Sequence, residues 1–87
     1  MAAKAYPIQL ERNPFTQFNI SAGFQVGDLL FLSGHVPIDQ EGMPVEAGFD
    51  EQASLTFENL QRTLQQGGSC LKRVIKVTIY VTNMKLF

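Results

Sequence analysis

The chain is short of the features that stabilise many small domains. It has a single cysteine among its 87 residues, so no disulfide can form within it. Nowhere do cysteine, histidine and carboxylate side chains cluster at metal-ligand spacing, so we expect no metal. The longest run of large apolar residues is Leu29 to Leu32, far short of the roughly 20 residues that span a membrane. A good core or oligomerisation must therefore supply the stability.

No charge of one sign dominates either. Seven basic and eight acidic residues give a net charge of −1. Binding to duplex nucleic acid needs a concentrated basic face, and Lys72-Arg73 is the only basic pair, so we expect no nucleic-acid partner. The start of the chain also lacks the apolar stretch of a signal peptide. The sequence thus predicts an intracellular location, the cytoplasm, with the mitochondrion as the alternative.

The length predicts one small domain over residues 1–87. Domains of this size bury about 60% of the surface that the unfolded chain exposes, which makes them marginally stable. The clearest pattern in the sequence is a strict alternation of apolar residues with polar or small ones from Gln17 to Val26, which is typical of a half-buried strand. Gly27-Asp28 then separates this strand from the apolar run, which predicts a two-residue hairpin. Residues 4–11 suggest another short strand, which Pro7 restricts to a sheet edge.

A helix is predicted from Asp50 to Gln66, with Asp50 as N-cap and Gly67-Gly68 as the stop. A strand follows from Val74 to Thr82. Strand, helix and strand with short connections predict a right-handed βαβ crossover with parallel strands. The fold class is therefore α+β, a mixed sheet with a helix on one face and no cover on the other. The apolar stripe of the helix is formed by Ala53, Phe57, Leu60 and Leu64.

The candidate site is the small-residue corner Ser33-Gly34-His35 at the end of the second hairpin strand. Gly34 would let a ligand approach the backbone, Ser33 offers a hydroxyl, and His35 can donate or accept near neutral pH. The alternative is a structural strand end, in which a loop carbonyl satisfies His35. Cys70 is best explained as a small apolar residue. A solvated loop and helix start explain the nearby carboxylates, namely Asp39, Glu41, Glu46, Asp50 and Glu51.

An ordered series of segments resembles the RidA (YjgF) family of reactive-intermediate deaminases. The resemblance runs from near residue 21 to residue 87. It begins with residues 26–34 and continues through Val36-Pro37-Ile38-Asp39. The later matching segments are Gln52-Ala53 to Asn59-Leu60, Gly67-Gly68-Ser69, residues 74–78 and Val81-Thr82-Asn83-Met84.

The resemblance implies a chorismate-mutase-like βαβ architecture in homotrimers, with sheets forming a barrel-like core and helices outside. It also implies a small-molecule ligand in pockets between subunits. Better-known members hydrolyse enamines and imines, such as 2-aminoacrylate, to 2-oxo acids and ammonia without a cofactor. Some members were described as endoribonucleases or translation inhibitors.

Several family features differ or are missing here. The family's domain continues past residue 87 with a second helix and further strands, and its catalytic arginine belongs to that part. By this comparison the domain is C-terminally incomplete and its catalytic residues are unknown. Ile20 stands where the family has a pocket tyrosine, and His35 where it usually has glutamine. The expected substrate-binding positions are Ser33, Gly34, His35 and Ile20.

The resemblance predicts a RidA-like trimer subunit whose 87-residue chain is inactive by itself. Whether the chain is an enzyme, a 2-iminobutanoate/2-iminopropanoate deaminase-like hydrolase, is left open because the arginine is absent. The alternative is a non-catalytic small-molecule-binding or regulatory member, favoured by Ile20 and His35. An endoribonuclease ranks last, because a net charge of −1 does not favour binding to RNA.

Overall fold

The computed structural model describes residues 4–11, 21–83 and 85. It confirms the α+β class, with one small sheet and one long helix. The strands are β1 Ala5–Pro7, β2 Gly23–Val26 and β3 Leu29–Leu32, and the helix is α1 Phe49–Gln66, followed by a 3-10 turn at Leu71–Arg73.

The hairpin is confirmed. Val26 and Leu29 are direct partners across the antiparallel pair β2–β3, so Gly27 and Asp28 form a two-residue turn. Gly27 has a φ of 59°, a value that glycine adopts without strain. The sheet order is β1-β2-β3, which places Pro7 on an edge strand as predicted. The first part of the predicted alternating strand, including Ile20, lies outside the described residues.

The helix is confirmed with one correction at its start. Its N-cap is Gly48, without a side-chain hydrogen bond, so the prediction of Asp50 as N-cap was wrong. Asp50 lies instead in the first turn, where a carboxylate interacts favourably with the helix dipole. The helix ends at the predicted glycines. Gly68 has a φ of 81°, and the Ser69 amide donates to the Leu64 carbonyl at 2.8 Å, which satisfies a terminal carbonyl.

The C-terminal end of α1 packs against one face of the sheet. A Cβ atom built on Gly67 would lie 2.9 Å from Leu30 Cδ1 and 3.4 Å from Ile8 Cδ1. Leu64 is 5% exposed, whereas Phe57, two turns earlier on the predicted stripe, is exposed. The stripe is therefore fully buried only near the end of the helix.

The strand predicted from Val74 to Thr82 is not formed. Residues 74–82 belong to no helix or strand, and the sheet in the described part of the chain is antiparallel instead of mixed. Ile75 and Tyr80 are 88% and 92% exposed. Alternating aliphatic residues favour a strand, but a strand also needs a neighbouring strand for its backbone hydrogen bonds. Here the segment has no such neighbour among the described residues.

The sheet face opposite α1 is apolar, and no described element covers it, as the sequence predicted. Side chains two apart on a strand share a face, as do direct cross-strand partners. Phe24 and Phe31 are partners, and both are exposed. We call this surface the open sheet face; it consists of Ala5, Pro7, Phe24, Val26, Leu29 and Phe31.

Among the described residues, no helix is both long and apolar enough to cross a membrane.

Candidate functional site

Ser33 continues the β2–β3 ladder one residue beyond β3. Its amide donates to the Ala22 carbonyl at 2.9 Å. Its hydroxyl donates to the Ser21 carbonyl at 2.5 Å, so the hydroxyl proton is already used within the protein. The Ser33 oxygen therefore retains lone pairs with which to accept a hydrogen bond, but in this arrangement it does not donate one to a ligand.

His35 is joined to the protein through both ring nitrogens. Nδ1 lies 2.7 Å from the Ser33 carbonyl oxygen; a carbonyl only accepts, so Nδ1 carries the proton. Nε2 lies 2.8 Å from Thr63 Oγ1. In the neutral ring Nε2 accepts from that hydroxyl, whose other acceptor, the Asn59 carbonyl, is more distant at 3.3 Å. Burial lowers the pKa of His35, and the bond to the Ser33 carbonyl partly opposes this effect. The geometry thus matches a neutral, structural histidine.

Gly34 is the accessible part of the corner. Ser33 pairs with Ala22, and backbone groups alternate in direction along a strand, so the N–H and C=O of Gly34 point away from β2. In the described part of the chain, they face the edge of β3 that pairs with no other strand. Gly34 is exposed, and a Cβ built on it would meet no atom within 4 Å. Its peptide groups can therefore be approached from solvent.

Helix α1 is hydrogen-bonded to the residues that follow Gly34 in the chain. The Asn59 side-chain amide donates to the carbonyls of Val36 and Ile38, both at 3.0 Å. Thr63 lies one helical turn later and contacts His35. We call Asn59 and Thr63 the helix clamp. Sequence reasoning missed it; the only signal was a pair of polar residues four apart, which share a helix face.

Two other polar groups have structural partners. Asp39 Oδ1 accepts from the amides of Glu41 and Met43 at 3.0 and 2.9 Å, which stabilises the loop before α1. Arg62 Nη1 donates to Asn59 Oδ1 at 2.9 Å. The Gln40 amide, oriented to accept, lies 2.7 Å from the same nitrogen. Arg62 thus supports the clamp, and the Ser33–His35 corner gains no cation from it.

An open groove of 390 Å³ lies along the N-terminal half of α1 and shares no residue with the corner. Carboxylates dominate its polar lining. In the described ranges, no three His, Cys, Asp or Glu side chains are placed to hold a metal ion. The groove is lined by Val45, Ala47, Asp50, Glu51, Ser54, Leu55 and Glu58.

Three predicted binding positions, Ser33, Gly34 and His35, meet in this corner. The fourth, Ile20, lies outside the described residues. The corner presents an accessible peptide group at Gly34 and acceptor lone pairs at Ser33. Such a surface can bind a small polar molecule, but the described residues give it no charged group to fix a carboxylate.

Comparison with known proteins assigns the family. The model of a family described as Endoribonuclease L-PSP matches residues 11–87. Relatives that match this chain include several RutC family proteins. The chain belongs to the RidA (YjgF) family.

Three relatives illustrate the match. Protein HMF1 of Saccharomyces cerevisiae is 29% identical over 100% of this chain and 67% of its own length. RutC family protein YjgH of Escherichia coli is 38% identical over 79% of this chain and 52% of its own. Putative reactive intermediate deaminase TdcF of Escherichia coli is 26% identical over 92% of this chain and 62% of its own.

A solved structure shares the fold. The crystal structure of YEO7_yeast superposes with a TM-score of 0.75 at 28% identity, covering 83% of this chain and 58% of that one. The chain thus spans between about half and two thirds of the length of the relatives described here.

Proposed function

We propose that this chain forms part of a RidA-like subunit that binds a small 2-oxo or 2-imino acid at the Ser33–His35 corner. The observation that carries the proposal is the accessible peptide of Gly34, which lies at an open sheet edge between two anchored residues. A backbone N–H directed at solvent can donate to a carboxylate or to a developing oxyanion. The similarity to a protein named as a putative reactive intermediate deaminase supports the same class of ligand.

The proposed reaction is hydrolysis of an imine. An enamine such as 2-aminoacrylate first takes a proton on its terminal carbon and becomes the 2-imino acid. Water then adds to the C=N carbon, and the carbinolamine loses its nitrogen as ammonia, leaving the 2-oxo acid. The water supplies the oxygen and two protons, so the reaction needs no oxidant, metal or cofactor.

This chemistry requires a cation to hold the substrate carboxylate and a group that activates water. Arg62 is bonded to Asn59 and Gln40, and His35 is bonded to Ser33 and Thr63. We therefore propose that the 87-residue chain does not catalyse this hydrolysis by itself. The remaining groups would come from another subunit or from segments outside the described residues.

We also propose that subunits associate, as a homotrimer, through the open sheet face. Exposed aromatic and aliphatic side chains on one face of a small sheet are typical of a surface that another chain covers. Burial there would supplement the small core of a chain this short. A ligand pocket at the Ser33–His35 corner would then lie near a subunit boundary.

Two measurements test the proposal. Ammonia release from 2-aminoacrylate generated in situ should stay at the uncatalysed rate with this chain; turnover would contradict the predicted inactivity. In a titration with 2-oxobutanoate, the Gly34 amide resonance should shift in nitrogen–proton spectra, while that of Gly48, in the loop before α1, stays constant. Equal shifts at both glycines, or none, would refute the corner as the binding site.

A non-catalytic binding or regulatory role is the second candidate. It is favoured by the bonding of Ser33 and His35, because a hydroxyl proton and an imidazole that are used structurally are not offered to a reaction. Saturable binding of 2-oxobutanoate without turnover by the assembled protein would select this role. Turnover that depends on the corner would select the deaminase.

The nuclease named in the description of the family model ranks third. A net charge of −1 gives little electrostatic attraction for RNA. RNA cleavage that disappears in both Ser33→Ala and His35→Ala would favour a nuclease. Cleavage that survives both substitutions would indicate a contaminating enzyme.

A further inference from the structure

We propose that the helix clamp, Asn59 and Thr63, positions the Gly34 peptide for ligand binding. The inference rests on the proposed function, because it assigns the residues that orient the proposed site. Neither clamp side chain need touch the ligand. Both act through the segment that follows Gly34, and both belong to an element that comes more than twenty residues later in the chain.

The residue before Gly34 is fixed by the sheet. The Ser33 amide donates to Ala22, its hydroxyl donates to Ser21, and its carbonyl accepts from the His35 ring. Three hydrogen bonds hold this one residue. The backbone therefore arrives at Gly34 in a set direction.

The residues after Gly34 are fixed by the helix. Thr63 is 1% exposed and bonds His35 Nε2, while Asn59 bonds the carbonyls of Val36 and Ile38. Arg62 in turn holds the Asn59 side-chain oxygen. The loop bridge from Ile38 to Pro44 supports the end of this segment.

Gly34 lies between these two anchors and forms no hydrogen bond to another described residue. The direction of its N–H depends on the dihedral angles on either side, and the anchors set those angles. A group held in its binding direction loses less conformational freedom when the ligand arrives. The clamp thus contributes to affinity by preorganisation.

The test compares Thr63→Val with Thr56→Val. Valine keeps the volume of threonine and removes the hydroxyl in both variants. Both hydroxyls lie near the carbonyl four residues earlier in the helix, but Thr63 also bonds the His35 ring. We expect Thr63→Val to weaken 2-oxobutanoate binding about fivefold, the effect of one hydrogen bond, and Thr56→Val to leave it unchanged. Thr63→Ser should restore it.

Two readouts separate positioning from simple packing. In Thr63→Val, the nitrogen resonance of His35 Nε2 should move towards the value of an unbonded nitrogen. Nitrogen relaxation should give lower order parameters at the Gly34 and Val36 amides, while the hairpin amide of Leu29 keeps its value. Asn59→Ala should likewise lower the order parameter at Val36, and it serves as the second variant if Thr63→Val does not fold.

Unchanged order parameters at Gly34 and Val36 in both folded variants would overturn the inference. So would equal loss of affinity in Thr63→Val and Thr56→Val. The proposed function fails separately: if the unmodified chain does not bind 2-oxobutanoate, the corner is not the binding site. The relaxation measurements, which need no ligand, would still decide whether the clamp orders Gly34.

Discussion

Phe24 and Phe31 are direct partners across the hairpin, and both rings are turned away from the helix. Aromatic partners on a sheet normally stabilise it by packing on each other and on a core. Here Phe24 is 41% and Phe31 59% exposed. The pair therefore stabilises the isolated sheet less than a buried aromatic pair would. Burying both rings under another chain would stabilise the complex.

Phe31→Glu should prevent association of subunits. A carboxylate on the open sheet face would have to lose its water when another chain covers it, which is unfavourable without a partner charge. Light scattering should give a lower mass for this variant than for the unmodified chain. Gln25→Glu is the matched control, since it adds the same charge on the opposite face. Equal masses for all three proteins would argue against the face as an interface.

Gly34→Ala should leave the folded chain intact and weaken binding of 2-oxobutanoate. Nothing lies within 4 Å of the added methyl. Replacing a glycine also lowers the entropy of the unfolded chain, which raises the free energy of unfolding by about 0.4–1 kcal/mol. Gly23→Ala is the contrast: its Cβ would lie 2.7 Å from the Phe31 carbonyl oxygen, and such overpacking costs about 1–3 kcal/mol. Urea unfolding measures the stability of both variants, and titration with 2-oxobutanoate measures binding. A destabilised Gly34→Ala variant would contradict the open geometry.

Leu64→Ala should cost about 2–5 kcal/mol of unfolding free energy, the usual range for a buried leucine. Leu64 is one of the few buried apolar residues in the described part of the chain. Ile75→Ala should change stability by less than about 0.5 kcal/mol, as for surface positions generally. If urea unfolding instead finds Ile75→Ala strongly destabilising, then the segment after the helix packs in solution.

Stability should fall as the pH drops below about 6.5, the ordinary pKa of histidine. Burial lowers the pKa of His35 in the folded chain, so the unfolded chain takes up the proton first and is favoured by acid. The His35 contribution is complete above the unfolded pKa and decreases below it. Unfolding midpoints between pH 5 and 8 measure the slope, and His35→Gln should flatten it. An identical slope in the variant would assign it to other groups.

Local features of the fold could be predicted from the sequence. Gly27-Asp28 specified the hairpin because a two-residue turn needs a residue tolerant of positive φ and two flanking strand patterns. Gly67-Gly68 specified the helix end for a similar reason. The start of α1 was less certain, since Asp50 also fits well in the first turn.

Contacts between distant segments could not be predicted in this way. The aliphatic alternation from Ile75 to Val81 indicated a strand but carried no information on whether an adjacent strand is available. Thr63 and His35 lie 28 positions apart, and nothing in either local pattern pairs them. The small residues of the corner stand out in the sequence, yet the bonds that use the Ser33 proton and the His35 ring are evident only in three dimensions.

The unpaired segment after the helix has a consequence for handling the protein. Residues 74–81 combine β-branched and aromatic side chains, contain no proline or glycine, and carry a single charge at Lys76. Such segments stack into intermolecular cross-β ladders when their backbone is free. The outer edge of β3 offers a second template for the same growth. We therefore expect the solubility of the chain at high concentration to depend on Lys76, the one residue that opposes self-stacking by charge repulsion.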